Sequence, residues 1–577
     1  MKDVKENSFM RSLCLGLIDE EMIFPFPKLK ADEAETLKTM FDSFGSWLKG
    51  REKEFRAWDV KGEMPREFLE EMKQFGLFSL VIPEEFGGMG LSSMGYSRTL
   101  QQLTRNESTI ALTAGAHSSI GMRGLILFGN DQQKAKYLAK LATGEHIAAF
   151  CLTEAGAGSD AASIKTHAER KGDKWILNGE KIWITNGGIG NFFTVFAKTG
   201  GDEGKMTAFI VTRDMPGVTS GPHEDKMGIR ASSTTTVNFE NVELTDAEVL
   251  GEVGKGFKVA MSILNSGRTG LGGGCIGAMK HAIELSSQFA NQRSQFGKPI
   301  GQYGLIKQKI GHMVVDCYAT EATVTMVAGM VDRGVKDYAV EAAISKVFGS
   351  EALWRTLDES MQIAGGSGYM RELPFERMMR DSRINRIFEG TNEILRLFIA
   401  LTAVQDVGAS LKEVASSLGN VLLDPIKGFG VLSEYSRRKM TQSTGLGKAT
   451  FTKAHPVIRE ECEILEECVN QLASFTDALL RKYGKHIVGK QFATRRLADV
   501  MIDLFVLSCV ISRVTDTIQL KGADKSVKER EILKVLAGQV KRRTRSNFNK
   551  IDDNDDHLIE SLADHAMSVE KFSWDIL

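Results

Sequence analysis

A stretch of strand-forming sequence over residues 149–255 interrupts a chain that otherwise has helical periodicity, and this order limits the possible folds. The stretch contains β-branched and aromatic runs such as KWILNGEKIWIT, FFTVFAKTG and KMTAFIVTR. Asn178-Gly179 and Asn186-Gly187 lie among them, and Asn-Gly pairs are typical of hairpin turns. The chain is therefore predicted to be mainly α with one inserted β domain of roughly a hundred residues.

Changes in composition and in hydrophobic periodicity divide the whole chain into six predicted segments. They are an N-terminal extension, a helical domain, the β domain, a helical bundle, a linker with a basic loop, and a second helical domain. Their bounds are 1–34, 35–148, 149–255, 256–405, 406–456 and 457–577. A length of 577 residues agrees with several domains rather than a single core.

Charge and cysteine content exclude several classes of protein. The chain has 73 basic and 74 acidic side chains, so it lacks the basic excess of a general nucleic-acid-binding protein. Its 7 cysteines have neither metal-ligand spacing nor the pattern of a disulfide framework. The N-terminus has a short apolar stretch between acidic residues, which is unlike an export signal or a transit peptide. We expect a cytoplasmic protein without a metal site.

Glu389 lies at a predicted break between two helices, in the sequence RIFEGTNEI. Burial beside Ile387 and Phe388 would raise the pKa of its carboxyl group, and a base with a pKa nearer neutrality can abstract a proton. The alternative is an acidic residue that stabilises the N-terminus of the following helix.

Two motifs in the β domain allow either a binding or a structural interpretation. In CLTEAGAGSD, Gly156 and Gly158 would let backbone amides approach an anion or a planar ring, although an ordinary loop has the same composition. Trp183 and Thr185 are predicted to share one face of a strand. They either contact a planar ligand or belong to the core.

Three motifs in the helical bundle also have two interpretations. Arg293 ends a helix, where it can bind a phosphate or serve as a favourable cation at the helix C-terminus. Gln362 precedes a double glycine that lies against a ligand or terminates a helix. The GLGGGCIG segment matches G-x-G-x-x-G, but helical sequence precedes it where a dinucleotide site needs a strand. We interpret its glycines as sites of close helix packing.

The order and separation of these motifs resemble the acyl-CoA dehydrogenase family. CLTEAGAGSD, WITNGG, NQRSQFG, QIAGG and FEGTNE occur in that family's order. FPFPKL, GAHSSIG, GFKVAMSILNSGR and RIFEGTNEILRLFIAL resemble the very-long-chain acyl-CoA dehydrogenases and their relative that assists complex I assembly. The resemblance covers essentially the whole chain and is weakest after about residue 425.

The resemblance implies a fold, a cofactor and a reaction. The fold would be a helical domain, a β-barrel-like domain and a four-helix bundle, with an extra C-terminal helical bundle. The cofactor would be FAD. The reaction would be the α,β-dehydrogenation of long-chain acyl-CoA to trans-2-enoyl-CoA in fatty acid β-oxidation. Glu389 would take the α-proton while the β-hydrogen leaves as hydride to flavin N5.

The resemblance also assigns residues to the ligands. FAD contacts are implied for Phe150, Leu152, Thr153, Gly158, Ser159, Trp183, Ile184, Thr185, Arg293, Gln295, Phe296, Gln362, Gly365, Gly366, Thr391, Asn392 and Glu393. Substrate contacts are implied for Ser159, Asn265, Arg268 and Gly390. Two positions differ from relatives: Asn265 replaces the acid of a D-x-x-R motif, and Gly267 occupies a position where some relatives carry their base.

Partners follow from the same resemblance. We expect electron-transferring flavoprotein as the acceptor, and a homodimer in which residues 362–366 reach FAD across the interface. The basic stretch 428–456 is expected to contact the inner membrane surface peripherally or to be a solvated loop. Small residues in ALTAGAHSSIG, residues 111–121, are expected to floor a deep acyl cavity or to pack helices closely. An acyl-CoA oxidase and a flavin-containing assembly protein are the alternative functions.

Overall fold

The computed structural model describes residues 8–201, 204–402, 404, 405 and 450–576, and the chain forms two compact units. The first unit contains Pro25–Ile394. The second combines Ser8–Phe24 with the chain from Leu395 onward. Sequence reasoning did not foresee that residues near the N-terminus belong with the C-terminal helices.

The first unit begins with helices around an aromatic core. Phe44, Phe68 and Phe78 are buried there together, which agrees with the three- to four-residue spacing of apolar side chains. A reciprocal capping box between Asn130 and Gln133 starts the last helix of this group. The helices are Ala31–Leu48, Glu52–Lys61, Arg66–Gln74, Ser93–Asn106, Ser108–Gly115, Arg123–Phe128 and Asp131–Thr143.

Within the described residues, the β domain is one eight-stranded sheet. Its strands are β1 (Ala148–Cys151), β2 (His167–Lys171), β3 (Lys174–Thr185), β4 (Phe192–Thr199), β5 (Lys205–Thr212), β6 (Val218–Ser220), β7 (Thr234–Leu244) and β8 (Val249–Leu250). Their order is β6-β7-β3-β2-β4-β5-β8, and β1 pairs with β4 in parallel. The predicted inserted β domain is confirmed.

Both faces of the sheet are covered at β4. Phe193 and Val195 belong to a core inside the β domain, whereas Phe192 and Phe196 belong to a second core that includes Tyr137 from the helical layer. Successive side chains of a strand point to opposite faces. A strand covered on both faces is therefore a continuous apolar run, as FFTVFAKT is.

The hairpin predicted at Asn178-Gly179 is wrong, because β3 continues through both residues. The pairing of β3 with β7 shifts between Leu177 and Gly179, which marks a β-bulge. Gly179 has a φ of 150°, and a Cβ there would lie 2.4 Å from Thr166 Oγ1. The Asn-Gly pair therefore serves a bulge, and the antiparallel turn lies between β2 and β3.

Long helices form the bundle of the first unit. They are Gly256–Gln292, which we call the central helix, Gly304–Asp332, and Ala339–Ala364, which we call the third bundle helix. A further helix over 392–402 begins in this unit, and its residues from Leu395 onward belong to the second unit. A Cβ at Gly277 of the central helix would lie 2.1 Å from the carbonyl oxygen of Gln101. The interpretation of the G-x-G-x-x-G match as close helix packing is confirmed.

The Gly304–Asp332 helix is the one helix in the described ranges that is long and apolar enough to span a membrane by length and composition. Most of its apolar window, 67 %, is buried within the protein, as expected for a core helix. All seven cysteines are buried and none forms a disulfide. The described residues contain no group of three or more His, Cys, Asp or Glu side chains arranged to hold a metal ion.

The second unit is helical and includes the N-terminal segment. Phe9 packs against Phe505 with ring centroids 6.0 Å apart, and the hydroxyl of Ser512 donates to the carbonyl oxygen of Ile23. Most of the predicted linker, residues 406–449, lies outside the described residues. The helices of this unit are Phe9–Cys14, Glu20–Ile23, Arg459–Tyr483, Gln491–Lys521, Val527–Asn549 and Asp556–Val569.

Candidate active site

Glu389 lies in a tight turn between two helical segments, as the sequence predicts. A helical turn at Ile384–Arg386 precedes it, and the helix over 392–402 follows. Glu389 has a φ of 56° and Gly390 a φ of 90°. A positive φ is costly for a residue with a side chain and is concentrated at functional sites. We call residues 387–391 the base turn.

The carboxylate of Glu389 is held in a dry environment. Its Oε2 atom is shielded from solvent and has no hydrogen-bond partner among the described residues. Burial raises the pKa of Glu389 to about 7, and the positive charges of Arg268 and Lys346 oppose this shift. The predicted direction is confirmed, but Ile387 is 47 % exposed. Gly267 of the central helix, whose Cβ position would lie 3.3 Å from Glu389 Oε1, also covers the carboxylate.

Lys346 is a component of the site that sequence reasoning missed. It is completely buried in the third bundle helix. Its Nζ lies 2.8 Å from the carbonyl oxygen of Gly390 and 2.8 Å from Asn392 Oδ1. Burial lowers the pKa of Lys346 to about 8, while Glu389 raises it. The available signal was a single charge inside the apolar run AAISKVFG.

Arg268 and Asn265 form a pair on the central helix. Arg268 Nη1 donates to Asn265 Oδ1 over 2.7 Å, so the amide oxygen supplies the acceptor that an acid would supply in a D-x-x-R motif. Arg268 is buried, and its Nε has no hydrogen-bond partner among the described residues. An unsatisfied donor of this kind is available to a substrate oxygen.

The backbone amide of Glu389 is a second available donor. Within the described part of the chain its N–H makes no hydrogen bond to a backbone carbonyl, whereas the N–H groups of Ile387 and Phe388 both donate to Ile384. The base and a free N–H thus belong to the same residue. This arrangement allows a carbonyl to be polarised at the carbon beside the proton that is removed.

The loop after β1 presents open backbone. Nothing lies within 4 Å of a Cβ built at Gly156 or Gly158, so a flat ligand can approach the chain there. Among the predicted contacts, Gly158 and Ser159 are exposed, Phe150 and Thr153 are part-buried, and Leu152 is buried. The loop therefore fits a planar cofactor.

A buried ion pair anchors this loop to β3. Lys181 is fully buried, with its Nζ 3.1 Å from the carbonyl oxygen of Leu152 and 2.7 Å from Glu154 Oε1. The N–H of Ile182 donates to the carbonyl oxygen of Thr153 over 2.9 Å. These contacts fix the loop against the strand that carries Trp183.

Trp183 lies on the surface of the sheet, so the interpretation of it as a core residue is wrong. It is 63 % exposed and has a φ of 56°. The pairing of β3 with β7 shifts between Lys181 and Ile184, which marks a second bulge. Ile184 is buried and Thr185 is part-buried. The bulge turns the indole outward, where it can pack on a planar ring.

A second group of predicted contacts lies far from Glu389. Arg293 follows Gly267 by 26 residues at the end of the central helix, a distance of about 39 Å at 1.5 Å per residue. Ala290 and Ile363 share one apolar cluster, so residues 362–366 lie at the same end. The exposed members of this group are Arg293, Gln295, Phe296, Gln362, Gly365 and Gly366. One chain therefore does not bring them to the base turn.

The residues after the base turn have different surroundings. Thr391 Oγ1 accepts from the N–H of Ile394 over 3.3 Å, and Glu393 is exposed. Asn392 is buried and its side chain bonds to Lys346, Ser350 and Glu351. Because these bonds occupy its amide, a cofactor contact by Asn392 would use its backbone.

Family models match nearly the whole chain. They are the acyl-CoA dehydrogenase N-terminal domain over residues 33–145, the middle domain over 149–242 and the C-terminal domain over 254–403. A fourth model, described as the ACAD9/ACADV C-terminal domain, matches residues 456–571. The predicted fold class agrees with these matches.

Individual proteins agree with the models. The human very long-chain specific acyl-CoA dehydrogenase is 42 % identical over 528 residues, covering 89 % of this chain and 79 % of that protein. An acyl-CoA dehydrogenase from Bacillus anthracis, solved in complex with FAD, has a TM-score of 0.81 and 32 % identity over 96 % of this chain and 94 % of its own. A chain in a structure titled as the electron transferring flavoprotein of Acidaminococcus fermentans has a TM-score of 0.62 and 34 % identity over 65 % of this chain and 98 % of its own. The chain belongs to the acyl-CoA dehydrogenase family.

Proposed function

We propose that this protein catalyses the FAD-dependent α,β-dehydrogenation of long-chain acyl-CoA to trans-2-enoyl-CoA in fatty acid β-oxidation. The observation that carries the proposal is Glu389, a part-buried residue in a strained turn, with a solvent-shielded Oε2 atom and a pKa of about 7. A base with this pKa is about half ionised at neutral pH and binds a proton effectively. The similarity to very long-chain relatives supports the substrate class.

Glu389 and Arg268 have separate roles in the proposed reaction. Glu389 removes the α-proton from a thioester whose carbonyl oxygen is held by the free N–H of the same residue. Arg268, paired with Asn265, offers a donor beside this position. The Oε2 atom of Glu389 is shielded from solvent, which strengthens these interactions.

The chain also fits its cofactor. FAD, when bound, accepts the hydride from the β-carbon. The open loop at Gly156 and Gly158 and the exposed indole of Trp183 would hold its ring system. Ile184 and Thr185 continue the same strand. Glycine and an outward-facing aromatic ring are suited to a flat, extended group.

Anaerobic mixing with acyl-CoA thioesters of increasing length tests the proposal. The flavin absorbance of the wild-type holoenzyme should bleach, with the fastest reduction at twelve carbons or more. Glu389→Gln should retain flavin, but its rate of flavin reduction should fall by at least about tenfold. A positioned base contributes about 10²–10⁴-fold. Equal rates for wild type and variant would overturn the assignment of the base.

We further propose electron-transferring flavoprotein as the acceptor. The solved structure whose title names such a flavoprotein supports this choice through its similarity to residues of this chain. Turnover with electron-transferring flavoprotein under nitrogen should exceed turnover with oxygen alone. Faster turnover with oxygen would favour the acyl-CoA oxidase alternative, and flavin that no acyl-CoA reduces would favour the assembly protein.

We propose a homodimer in which the distant group of cofactor contacts serves the partner's site. The separation of about 39 Å along the central helix prevents Arg293 from reaching a ligand at Glu389 of its own chain. Phe296 is 93 % exposed, and Leu305, Tyr369 and Met370 are exposed near the same end. An exposed apolar patch of this kind is typical of an interface.

Gly366→Trp tests this arrangement. Nothing lies within 4 Å of a Cβ at Gly366, so the monomer can accommodate the change. The variant should lose both FAD and dimer mass in light scattering. Gly365 is a poorer choice because its φ of 58° makes any substitution strained. Full flavin retention in a monomeric variant would contradict the cross-subunit site.

We propose a cytoplasmic protein that binds the inner membrane surface peripherally through the basic segment. Most of 428–456 lies outside the described residues, but its end does not. Phe451 is buried and Lys453 pairs with Glu21, so these two residues are not available to a membrane. The stretch from Lys427 to Lys448 contains five basic residues and one acidic residue, which gives a net charge of +4.

Liposome sedimentation tests this contact. Basic residues contribute about 1 kcal/mol each near an anionic surface, so wild type should sediment with anionic vesicles at low salt and less at high salt. Deletion of 430–449 should abolish sedimentation while flavin content and activity on soluble acyl-CoA persist. Equal sedimentation of both forms would identify the segment as a solvated loop.

A further inference from the structure

A fully buried lysine bridges the third bundle helix and the base turn. Lys346 is 0 % exposed, and its Nζ lies 2.8 Å from both the carbonyl oxygen of Gly390 and Asn392 Oδ1. Taking an ammonium group out of water is costly unless it is paired and hydrogen-bonded. Here the two acceptors belong to the two residues that flank Thr391. The buried ammonium group is therefore satisfied by the end of the base turn and the first residue of the following helix.

The second acceptor is itself fixed in orientation. Asn392 Nδ2 donates to Ser350 Oγ over 3.0 Å and to Glu351 Oε1 over 3.2 Å. The amide oxygen must therefore face Lys346. Ser350 and Glu351 lie on the same helix as Lys346, and the whole network joins one rigid element to the turn.

The base turn needs such support. Glu389 and Gly390 both have positive φ values, 56° and 90°, and a strained backbone persists only where its surroundings fix it. A hydrogen bond to the Gly390 carbonyl fixes the peptide plane that follows the base. We propose that Lys346 is the positioning residue that holds the base turn, and with it the carboxylate and the free N–H of Glu389, in the geometry for proton abstraction.

The charge of Lys346 acts on the same carboxylate. Lys346 and Arg268 are the cations that lower the pKa of Glu389 against the effect of burial. Two other titratable residues interact electrostatically with Glu389: Tyr96 on the Ser93–Asn106 helix and Cys275 on the central helix. Glu351 interacts in the same way with Lys346. Removing the ammonium group should therefore raise the pKa of Glu389 further.

Hydrogen–deuterium exchange of the holoenzyme tests the positioning role without reference to activity. In Lys346→Met, amides of residues 387–391 should exchange faster than in wild type. Lys226→Met is the matched control, because Lys226 Nζ also bonds a backbone carbonyl and a side-chain oxygen, at Ser232 and Thr234. The control should leave the exchange of the base turn unchanged. Unchanged exchange in Lys346→Met would overturn the proposal.

Flavin reduction across pH 5.5–9 supplies the kinetic test, which rests on the proposed function. Lys346→Met should reduce its flavin about 10- to 100-fold more slowly per bound FAD, since a small misplacement of a catalytic group has this effect. The acid limb of its rate–pH profile should also move upward by about one pH unit. Asn392→Leu, which keeps the cation and loses one anchor, should slow reduction without moving the limb.

The outcomes separate the two proposals. If wild type fails to reduce flavin with any acyl-CoA, the proposed function fails, and the exchange measurement still decides the role of Lys346. If wild type and Glu389→Gln behave as proposed but Lys346→Met has the wild-type rate and limb, the positioning role alone is overturned. A Lys346→Met protein whose losses match its loss of FAD, with normal rate per flavin, also overturns it.

Discussion

The carboxylate of Glu389 lies directly against the backbone of Gly267 in the central helix. A Cβ built at Gly267 would be 3.3 Å from Glu389 Oε1, 3.4 Å from Oε2 and 2.9 Å from Ile120 Cγ2. Position 267 is where some family members are implied to carry their base. The two positions therefore face the same point in space, one from the central helix and one from the base turn, and glycine at 267 makes room for a base at 389.

Gly267→Ala should slow flavin reduction by moving the carboxylate. A methyl group at this distance from both oxygens displaces them, and misplacement of a base lowers the rate by about tenfold or more. Gly45→Ala is the control, since nothing lies within 4 Å of its Cβ position in the Ala31–Leu48 helix. A Gly267→Ala enzyme with the wild-type rate would show that the carboxylate tolerates displacement.

The sequence predicted the parts of the site that depend on local pattern. The break at Glu389 follows from helical sequence on both sides of Gly390, and close packing at Gly277 follows from a lack of any strand before the glycines. Both are statements about neighbouring residues along the chain.

The structural features that sequence reasoning missed depend on distant partners. Lys346 is a charged residue on a helix, and only the fold brings it to Gly390, 44 residues later. The outward position of Trp183 results from the register of β3 with β7, which no local pattern specifies. Likewise, the placement of Ser8–Phe24 with the C-terminal helices depends on contacts almost five hundred residues apart, such as Ser512 with Ile23.

The free energy of unfolding should depend on pH through Glu389. Its pKa rises from 4.5 to about 7 on folding, so the unfolded chain releases the proton first and stability falls as pH rises from 4.5 to 7. Glu389→Gln removes this loss and should be more stable than wild type above pH 7, by about 3 kcal/mol at most.

Thermal denaturation from pH 4.5 to 8 measures this effect. The difference in Tm between Glu389→Gln and wild type should widen up to pH 7 and then stay constant. Glu393→Gln is the control, because Glu393 is exposed one turn further on. Parallel pH profiles for Glu389→Gln and wild type would show that the carboxyl group is not desolvated.

Lys181→Met should release FAD. The change leaves Glu154 as a buried carboxylate without its cation, and breaking a buried pair from one side costs about 3–5 kcal/mol. The loop at 151–160 should then loosen, and the flavin-to-protein absorbance ratio should fall after gel filtration. Lys174→Met, which breaks an exposed pair with Glu243, should leave the ratio unchanged. Adding Glu154→Gln to Lys181→Met should recover part of the flavin, and a failure to do so would assign the loss to packing instead.

The small side chains of residues 111–121 should set the preference for long acyl chains. Ala111, Ala114 and Ala116 are buried, and the following π-helical turn at Ala116–Gly121 carries Ile120 to within 2.9 Å of the Cβ position at Gly267, beside the base. The segment therefore runs from the helical core to the side of Glu389, and we expect an acyl tail to follow it. Each buried CH₂ of the tail contributes about 0.8 kcal/mol.

Ala114→Leu fills part of this path with three extra carbon atoms and should shift the optimum toward shorter acyl-CoA. The wild-type optimum is expected at twelve carbons or more, and the variant should lose specificity, measured as kcat/KM, for the longest substrates while keeping it for short ones. Ala473→Leu is the control for overpacking, because Ala473 is equally buried in the Arg459–Tyr483 helix of the other unit. It should lower Tm without moving the optimum. A wild-type optimum at four to six carbons would show instead that these small residues serve helix packing, because a tail that ends before Ala114 cannot sense its size.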